Sequence, residues 1–336
     1  DTTPNYIFSS SEAGTITYGG SCSSSTTSAN SGSNTIALKG SSSDELADNT
    51  TYSDCTVTVT DTAGNVSSSI TISTFEVDTT APSLVEVTPV KNPTNDQTPN
   101  YSFSSTQSGT ISFGGSCSSA TDNRSATASD NITVTLTNTS SGNLAADNYT
   151  DCTITVTDPA GNSAVTINIS SFEIDITAPS VSSTSPSNSE TIISPSSNIQ
   201  VTFSEEMDNI STNTSGTSCS GSLQLSSNNF TNCIQMSSSP SSSDNTTFTF
   251  VPADNISFYT TFKTKVTTGA RDLAGNNLAS EYITSTGFTT RYWTRQFGTS
   301  SAEEGRGVAR DSSNNIYVTG GTYGGLDSNT SSGGQD

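Results

Sequence analysis

The residues that could support catalysis in this chain are few. It has no histidine, and its lysines, none of them in an S-x-x-K spacing, are Lys39, Lys91, Lys263 and Lys265. Nucleophilic serine or cysteine chemistry needs a neighbouring base, most often histidine. The doublet Glu205–Glu206 could provide the two carboxylates of a glycosidase, but adjacent residues of a strand point to opposite faces. We therefore predict that this chain is not an enzyme.

Six cysteines are the next reactive groups, and an internal repeat limits how they can pair. Cys22 corresponds to Cys117 and Cys55 to Cys152, so each repeat carries one pair and the third pair lies in the next segment. This predicts the disulfides Cys22–Cys55, Cys117–Cys152 and Cys219–Cys233. Zinc is disfavoured because the chain lacks C-x-x-C spacing and histidine. Disulfides in turn indicate an oxidising compartment.

Three aspartates, Asp61, Asp158 and Asp272, each begin a D-x-A-G-N sequence. An aspartate can form an Asx-turn, and the glycine three residues later can adopt the positive φ that a hairpin turn requires. These sequences therefore predict turns.

The elements that would position these residues are β-strands. Serine and threonine exceed a third of the chain, and the apolar residues form short alternating runs. Cys152, Ile154 and Val156 alternate with threonines, which places the cysteine on the buried face of a strand. Threonine suits the exposed face. The pattern predicts an all-β fold.

The strand that ends each repeat breaks this alternation at the same place. Val165, Ile167 and Ile169 share one parity, whereas Phe172 and Ile174 share the other, and the first repeat changes parity at Ser73–Thr74 in the same way. We expect a β-bulge there or a bend by which the chain changes sheets. Tyr52 and Tyr149 each precede the second cysteine by three residues, which places them on the opposite face of an uninterrupted strand.

The repeat period, close to 97 residues, is the size of one β-sandwich. We predict a sandwich over 1–82 that lacks the start of its repeat, a second over 83–179, a third over 180–290, and a different segment over 291–336. The linkers D-T-T-A-P (78–82) and D-I-T-A-P (175–179) contain prolines that stiffen them, which favours an extended rod.

Charge excludes one class of partner. The net charge is −21 and basic residues form no cluster, so a nucleic acid backbone would be repelled. The chain contains no run of 18 apolar residues, so its sequence predicts no membrane-spanning helix. No signal peptide is visible, but the chain begins partway through a repeat, so we expect that one could precede it.

Residues 1–179, with their D-x-A-G-N and D-x-T-A-P motifs, resemble the tandem bacterial Ig-like repeats of adhesins. Residues 180–290 resemble the bacterial Ig-like domain first recognised in S-layer proteins, through IQVTFSEEMD (199–208), TFTFVP (247–252) and DLAGNNL (272–278). The segment with Cys219 and Cys233 departs from that family's pattern. Residues 291–336 resemble one SBBP-type β-propeller repeat, through GVARDSSNNIYVTGG (307–321). One such repeat would be an incomplete blade.

The adhesin resemblance implies calcium at the domain joints. The matching pairs would be Asp61 with Asp78 and Asp158 with Asp175, completed by oxygens from the following domain. Turn formation alone is the alternative role for these aspartates. Calcium binds six to eight oxygens, and only two side chains can be named for each site.

The resemblances imply an extracellular or cell-surface location and three alternative functions. The first is a stalk that presents a propeller for adhesion or matrix contact. The second is a subunit of a self-assembling fibre or sheath, joined through exposed strand edges. The third is a non-catalytic accessory region of a larger secreted enzyme. The expected partners are other extracellular proteins, glycans or copies of the chain itself.

Overall fold

The computed structural model describes residues 1–120, 124–129, 131–213, 217–291, 303–311 and 316–322. All regular elements in these residues are β-strands, which confirms the predicted all-β class. The chain divides into two compact units, Asp1–Ala178 with Leu273–Asn276 and Pro179–Asp272 with Asn277–Asp336. Each unit is described by itself below. No helix in the described residues is long and apolar enough to cross a membrane.

The first repeat contains ten strands: β1 (Asn5–Ser10), β2 (Gly14–Gly19), β3 (Cys22–Ser23), β4 (Ser28–Ala29), β5 (Gly32–Ala37), β6 (Lys39–Gly40), β7 (Thr50–Tyr52), β8 (Thr56–Asp61), β9 (Ile70–Thr71) and β10 (Phe75–Val77). One sheet has the order β4-β2-β8-β9. The pairs β1-β5, β3-β6 and β7-β10 complete the repeat, all antiparallel.

The second repeat follows the same plan with ten more strands: β11 (Leu84–Thr88), β12 (Asn100–Ser105), β13 (Gly109–Gly114), β14 (Ser118–Ser119), β15 (Ser125–Ala126), β16 (Asn131–Thr137), β17 (Asp147–Tyr149), β18 (Thr153–Thr157), β19 (Ile167–Asn168) and β20 (Phe172–Ile174). The sheets are β11-β12-β16-β14, β15-β13-β18-β19 and β17-β20. Strand β11 has no counterpart in the first repeat.

The alternating residues of each repeat form its hydrophobic core. In the second repeat, Cys152, Ile154 and Val156 are at most 2 % exposed, as the alternation on β18 predicted. They pack with residues of the other sheet, among them Tyr101, Phe103 and Val134. The first repeat has a separate core around its own cysteines.

The parity break is a change of sheet. Ile70 and Thr71 in β9 pair with β8, whereas Phe75 to Val77 in β10 pair with β7. In the second repeat, β19 pairs with β18 and β20 pairs with β17. Residues after the bend must therefore bury the opposite parity, because they face the core from the other layer.

Two sequence-based expectations are wrong. Tyr52 and Tyr149 are buried beside the cysteines, because the strand is interrupted: β7 ends at Tyr52 and β8 begins only at Thr56. Each tyrosine instead stacks on the phenylalanine of the partner strand, with centroids 5.3 Å apart for Tyr52 and Phe75. Val165 is 87 % exposed because Ala164 takes the inward position next to it.

The described residues of the third segment contain eight strands: β21 (Val181–Ser185), β22 (Thr191–Ile193), β23 (Ile199–Phe203), β24 (Leu223–Ser226), β25 (Thr247–Phe250), β26 (Thr261–Val266), β27 (Tyr282–Ile283) and β28 (Phe288–Thr290). One sheet has the order β21-β23-β25, and the other β22-β28-β26-β24 with β27 on β26. Its core contains Val201, Phe248, Phe250 and Phe262, all at most 1 % exposed.

The predicted propeller segment is described only over 303–311 and 316–322, so the rest of 291–336 beyond Arg291 lies outside the described residues. These parts form an antiparallel hairpin of β29 (Glu303–Arg310) and β30 (Ile316–Thr322). Val308, Tyr317 and Val318 are all more than half exposed.

Candidate functional site

The D-x-A-G-N sequences of the first two repeats form turns closed by the aspartate and the asparagine. Both nitrogens of Asn65, the backbone N–H and the Nδ2, donate to the Asp61 carboxylate at 2.8 Å. Asn162 binds Asp158 in the same way, at 2.8 and 2.9 Å. Gly64 and Gly161 have φ of 90° and 96°, which is the conformation that the turn prediction required.

These hydrogen bonds stabilise the charged form of both carboxylates. The side chain and backbone of Asn65 lower the pKa of Asp61 below its ordinary value. Burial acts to raise the pKa of Asp158, but the hydrogen bonds from Asn162 and neighbouring N–H groups outweigh it and lower that pKa. The two turn aspartates are therefore ionised acceptors, used by their own turn.

The structure joins turns and linkers differently from the predicted pairs. Asn162 donates from Nδ2 to the backbone oxygen of Asp78 at 3.0 Å, so the turn of the second repeat contacts the linker that precedes that repeat. The predicted pairs, Asp61 with Asp78 and Asp158 with Asp175, each combine a turn with the linker that follows it, and they stay a prediction. Strand alternation cannot predict a contact between residues 84 positions apart.

Sequence reasoning also missed Asp48. Its carboxylate accepts from the Thr79 N–H at 2.6 Å and from the Thr80 hydroxyl at 2.8 Å. Asp78 accepts from the Thr80 N–H at 2.9 Å, which closes an Asx-turn. The linker 78–82 is thus hydrogen-bonded both to the first repeat, through Asp48, and to the second, through Asn162. Asp48 belongs to none of the sequence motifs, so no pattern indicated that it would bind the linker.

Oxygens at the first joint already have hydrogen-bond partners. Both carboxylate oxygens of Asp158 and the Asp78 carbonyl accept from Asn162. Calcium binds six to eight oxygens, so water or further groups would have to supply the remainder. Calcium at Asp61, Asp78, Asp158 and Asp175 stays a prediction.

The three disulfides are those that the repeat predicted. Cys22 bonds to Cys55, Cys117 to Cys152 and Cys219 to Cys233, with Cα–Cα distances of 5.3, 5.2 and 5.1 Å. The first two lie in the cores of their repeats. Such cross-links are typical of extracellular proteins.

The glutamate doublet considered for catalysis lies beyond the end of a strand, and two of the lysines are in ion pairs. Strand β23 ends at Phe203, so Glu205 and Glu206 follow the strand. Lys39 pairs with Asp44 at 3.1 Å and Lys265 with Glu281 at 3.4 Å. Each unit has an open depression lined mainly by serine or threonine. Each depression contains one aspartate, and the one in the first unit also contains Lys39. In one of them, hydrogen bonds from Thr247 and Thr246 lower the pKa of Asp244, which makes it a poor general base.

The disulfides lie within single domains, and the polar groups described above serve turns and a linker. Residues 175–290 match the family model of a bacterial Ig-like domain, and residues 293–327 match that of a beta-propeller repeat, whose described part is the hairpin β29–β30. Both families are structural. They fit a surface or structural protein, and together with the disulfides they suggest an extracellular one.

Among solved structures, the N-terminal part of the bacterial S-layer protein SbsC is similar at 16 % sequence identity, with a TM-score of 0.26. The match covers 43 % of this chain and 34 % of that chain, so it spans about a third of the length of that structure. The comparison with curated proteins found no match.

Proposed function

We propose that this chain is an extracellular stalk of a bacterial surface protein, which holds a propeller repeat away from the cell for adhesion or matrix contact. The observation that carries this proposal is the first linker. Asp48 of the first repeat and Asn162 of the second both hydrogen-bond to residues 78–80. Pro82 in the same linker is buried and fixes its φ. A joint held from both sides resists bending, as a stalk requires.

Negative-stain microscopy of the whole chain tests this proposal. We expect isolated, elongated particles with a narrow distribution of bend angles at the first joint. The variant Asp48→Ala with Asn162→Ala should broaden that distribution, whereas Asp44→Ala, which removes an exposed ion pair with Lys39, should not. Compact particles, or equal bending in all three proteins, would contradict the stalk.

A self-assembling fibre is the second candidate, because β11 exposes apolar side chains at the edge of its sheet. Val85 is 61 % and Val87 43 % exposed, and β11 pairs only with β12 among the described strands. Exposed edges of this kind promote strand pairing between chains. Regular filaments in the same micrographs would favour this function over the stalk.

Calcium at the joints is a separate proposal, which rests on the resemblance to adhesin repeats. Bound calcium would stabilise the folded chain by mass action. We expect the melting temperature of the chain to rise when calcium replaces a chelator, and the rise to be lost in Asp78→Asn with Asp175→Asn. Titration without heat and without a shift in melting temperature would contradict calcium binding.

A further inference from the structure

The third disulfide has different surroundings from the other two. The cysteines of the first two disulfides are at most 2 % exposed and belong to the hydrophobic cores of their repeats. Cys219 is partly exposed, and neither Cys219 nor Cys233 belongs to the core of the third segment. Cleavage of this bond would therefore leave the packing of that core intact.

Small side chains flank the partly exposed cysteine. Residues 217–221 have the sequence T-S-C-S-G, and Ser218 and Ser220 on either side of Cys219 are exposed. The rate at which a thiolate attacks a disulfide depends on access to the sulfur. Cys233 is only 4 % exposed. Cys219 is thus the half of this disulfide that a thiolate can approach, and Cys233 would be the leaving group.

The backbone of Cys219 also favours release. Its φ is 55°, in the left-handed region that residues other than glycine adopt infrequently. Such a conformation carries a free-energy cost and persists only where the surroundings hold it. The disulfide is one of the contacts that hold Cys219, so the segment around it can relax when the bond is broken.

A buried amide holds the same segment without the disulfide. Gln224 on β24 is 4 % exposed, and its Nε2 donates to the carbonyls of Cys219 and Gly221, both at 2.8 Å. Its Oε1 lies 3.9 Å from the sulfur of Cys233. A thiol formed at Cys233 would therefore have an acceptor for its S–H. These contacts keep the two sulfurs near each other after reduction, which makes the change reversible.

Backbone hydrogen bonds connect the disulfide to the sheet. The Cys233 N–H donates to the Thr217 carbonyl at 3.1 Å, and the Ile234 N–H donates to the Leu225 carbonyl of β24 at 2.8 Å. We call residues 217–235 the disulfide loop. Its ends meet at the Cys219–Cys233 bond and beside β24, so reduction of this bond would act on the loop and not on the paired strands β23 and β25.

We propose that Cys219–Cys233 is a thiol–disulfide exchange site for dithiols, and that its reduction loosens the disulfide loop while the sandwich stays folded. A thiolate of the dithiol attacks the sulfur of Cys219, the S–S bond breaks, and Cys233 leaves as a thiolate that takes up a proton. The second thiol of the reagent then attacks the mixed disulfide. This releases Cys219 as a thiol and oxidises the dithiol to its own disulfide, so that two electrons pass to the protein.

Reduction of the full chain with increasing dithiothreitol tests the proposal, and the two core disulfides are the internal control. Each sample is quenched with acid, alkylated in denaturant and measured by mass spectrometry. We expect a species with two alkylated cysteines to form before any species with four or six. Digestion should place both alkyl groups on Cys219 and Cys233. Hydrogen exchange under the same reducing conditions should become faster in the disulfide loop and stay unchanged in β23 and β25.

A glutamine variant tests the contacts that keep the sulfurs together. Gln224→Ala should speed the reduction of Cys219–Cys233 and slow the return of the disulfide after the reagent is removed. Gln200→Ala is the matched control, because Gln200 is exposed on the other sheet, where its Nε2 donates to the Thr249 hydroxyl at 3.1 Å. Gln200→Ala should change neither rate.

Earlier reduction of a core disulfide, or reduction of all three together, would overturn the proposal. It would also be overturned if hydrogen exchange in the disulfide loop were the same before and after reduction. Cys219→Ser with Cys233→Ser provides a second measurement without a reductant. This variant should fold with the two core disulfides formed and should show the faster exchange of the reduced loop. Failure of the variant to fold would mean that the bond is structural and not a switch.

Discussion

Single polar residues hold the first linker of this chain in place. Asp48 carries no motif and lies at the surface, yet its two oxygens hold Thr79 and Thr80 of the linker. The linker prolines restrict the chain on their own, but only such contacts select one conformation of the joint. At this scale, the residues that matter are hydrogen-bond acceptors rather than reactive groups.

The Asp48 contacts should depend on pH. The Thr79 N–H, and then the Thr80 hydroxyl, lower the pKa of Asp48 below its ordinary value of 3.8 in the folded chain. A group with a lowered pKa contributes stability above its unfolded pKa and loses it as the pH falls through the folded pKa. We expect proteolysis at 78–82 to accelerate on acidification through that range. Limited digestion by an acid-active protease measures it, and Asp48→Asn should cleave at the faster rate throughout.

At the scale of elements, the bend between β9 and β10, and between β19 and β20, ties the two layers of each repeat. It brings an aromatic residue across to the tyrosine of the partner strand, with ring centroids 5.1 Å apart for Tyr149 and Phe172. The tyrosines also hydrogen-bond to the preceding loop: Tyr52 Oη accepts from the Ala47 N–H at 2.8 Å, and Tyr149 Oη donates to the Ala145 carbonyl at 3.1 Å. The break before each second cysteine is thus a packed corner.

Truncating this corner should affect the two repeats unequally. Phe172→Ala removes a ring that is 1 % exposed and should lower the free energy of unfolding of the second repeat by about 3–5 kcal/mol. Phe75→Ala removes a partly exposed ring and should cost the first repeat less. Hydrogen exchange in increasing denaturant, followed by mass spectrometry of peptides from each repeat, measures both. Equal losses would contradict this link between the burial of the ring and its contribution to stability.

At the scale of the whole chain, charge limits how copies approach each other. The net charge of −21 is spread without a basic cluster, so copies repel at low ionic strength. The bacterial Ig-like domain and the propeller repeat are structural families, and the stalk proposed above would benefit from this repulsion because neighbouring stalks would stay separate.

Sedimentation velocity across a range of salt concentrations tests the effect of charge. We expect a monomer at low ionic strength, with association, if any, only when salt screens the charge. Filaments that form at low salt would contradict this and would support the fibre.

The sequence by itself determined the all-β class, the three disulfides and the position of the parity break. Each of these depends on local alternation or on the comparison of one repeat with the other, and a period of two residues directly reports which side chains are buried. The role of Asp61 and Asp158 in turns was also predictable, because the hydrogen bonds of a turn join residues that are close together in the sequence.

Only the tertiary structure decided which partner each strand, turn and linker meets. The alternation of apolar and polar residues predicts that Phe172 is buried, but not that β20 pairs in the other layer. It also does not predict that Asn162 donates a hydrogen bond to Asp78. These contacts join residues far apart in the chain, and their energies depend on geometry that no short pattern encodes. The chemistry of this protein was therefore readable as turns and disulfides from the sequence. The contacts of the first linker appeared only in three dimensions, because they join residues that are distant in the chain.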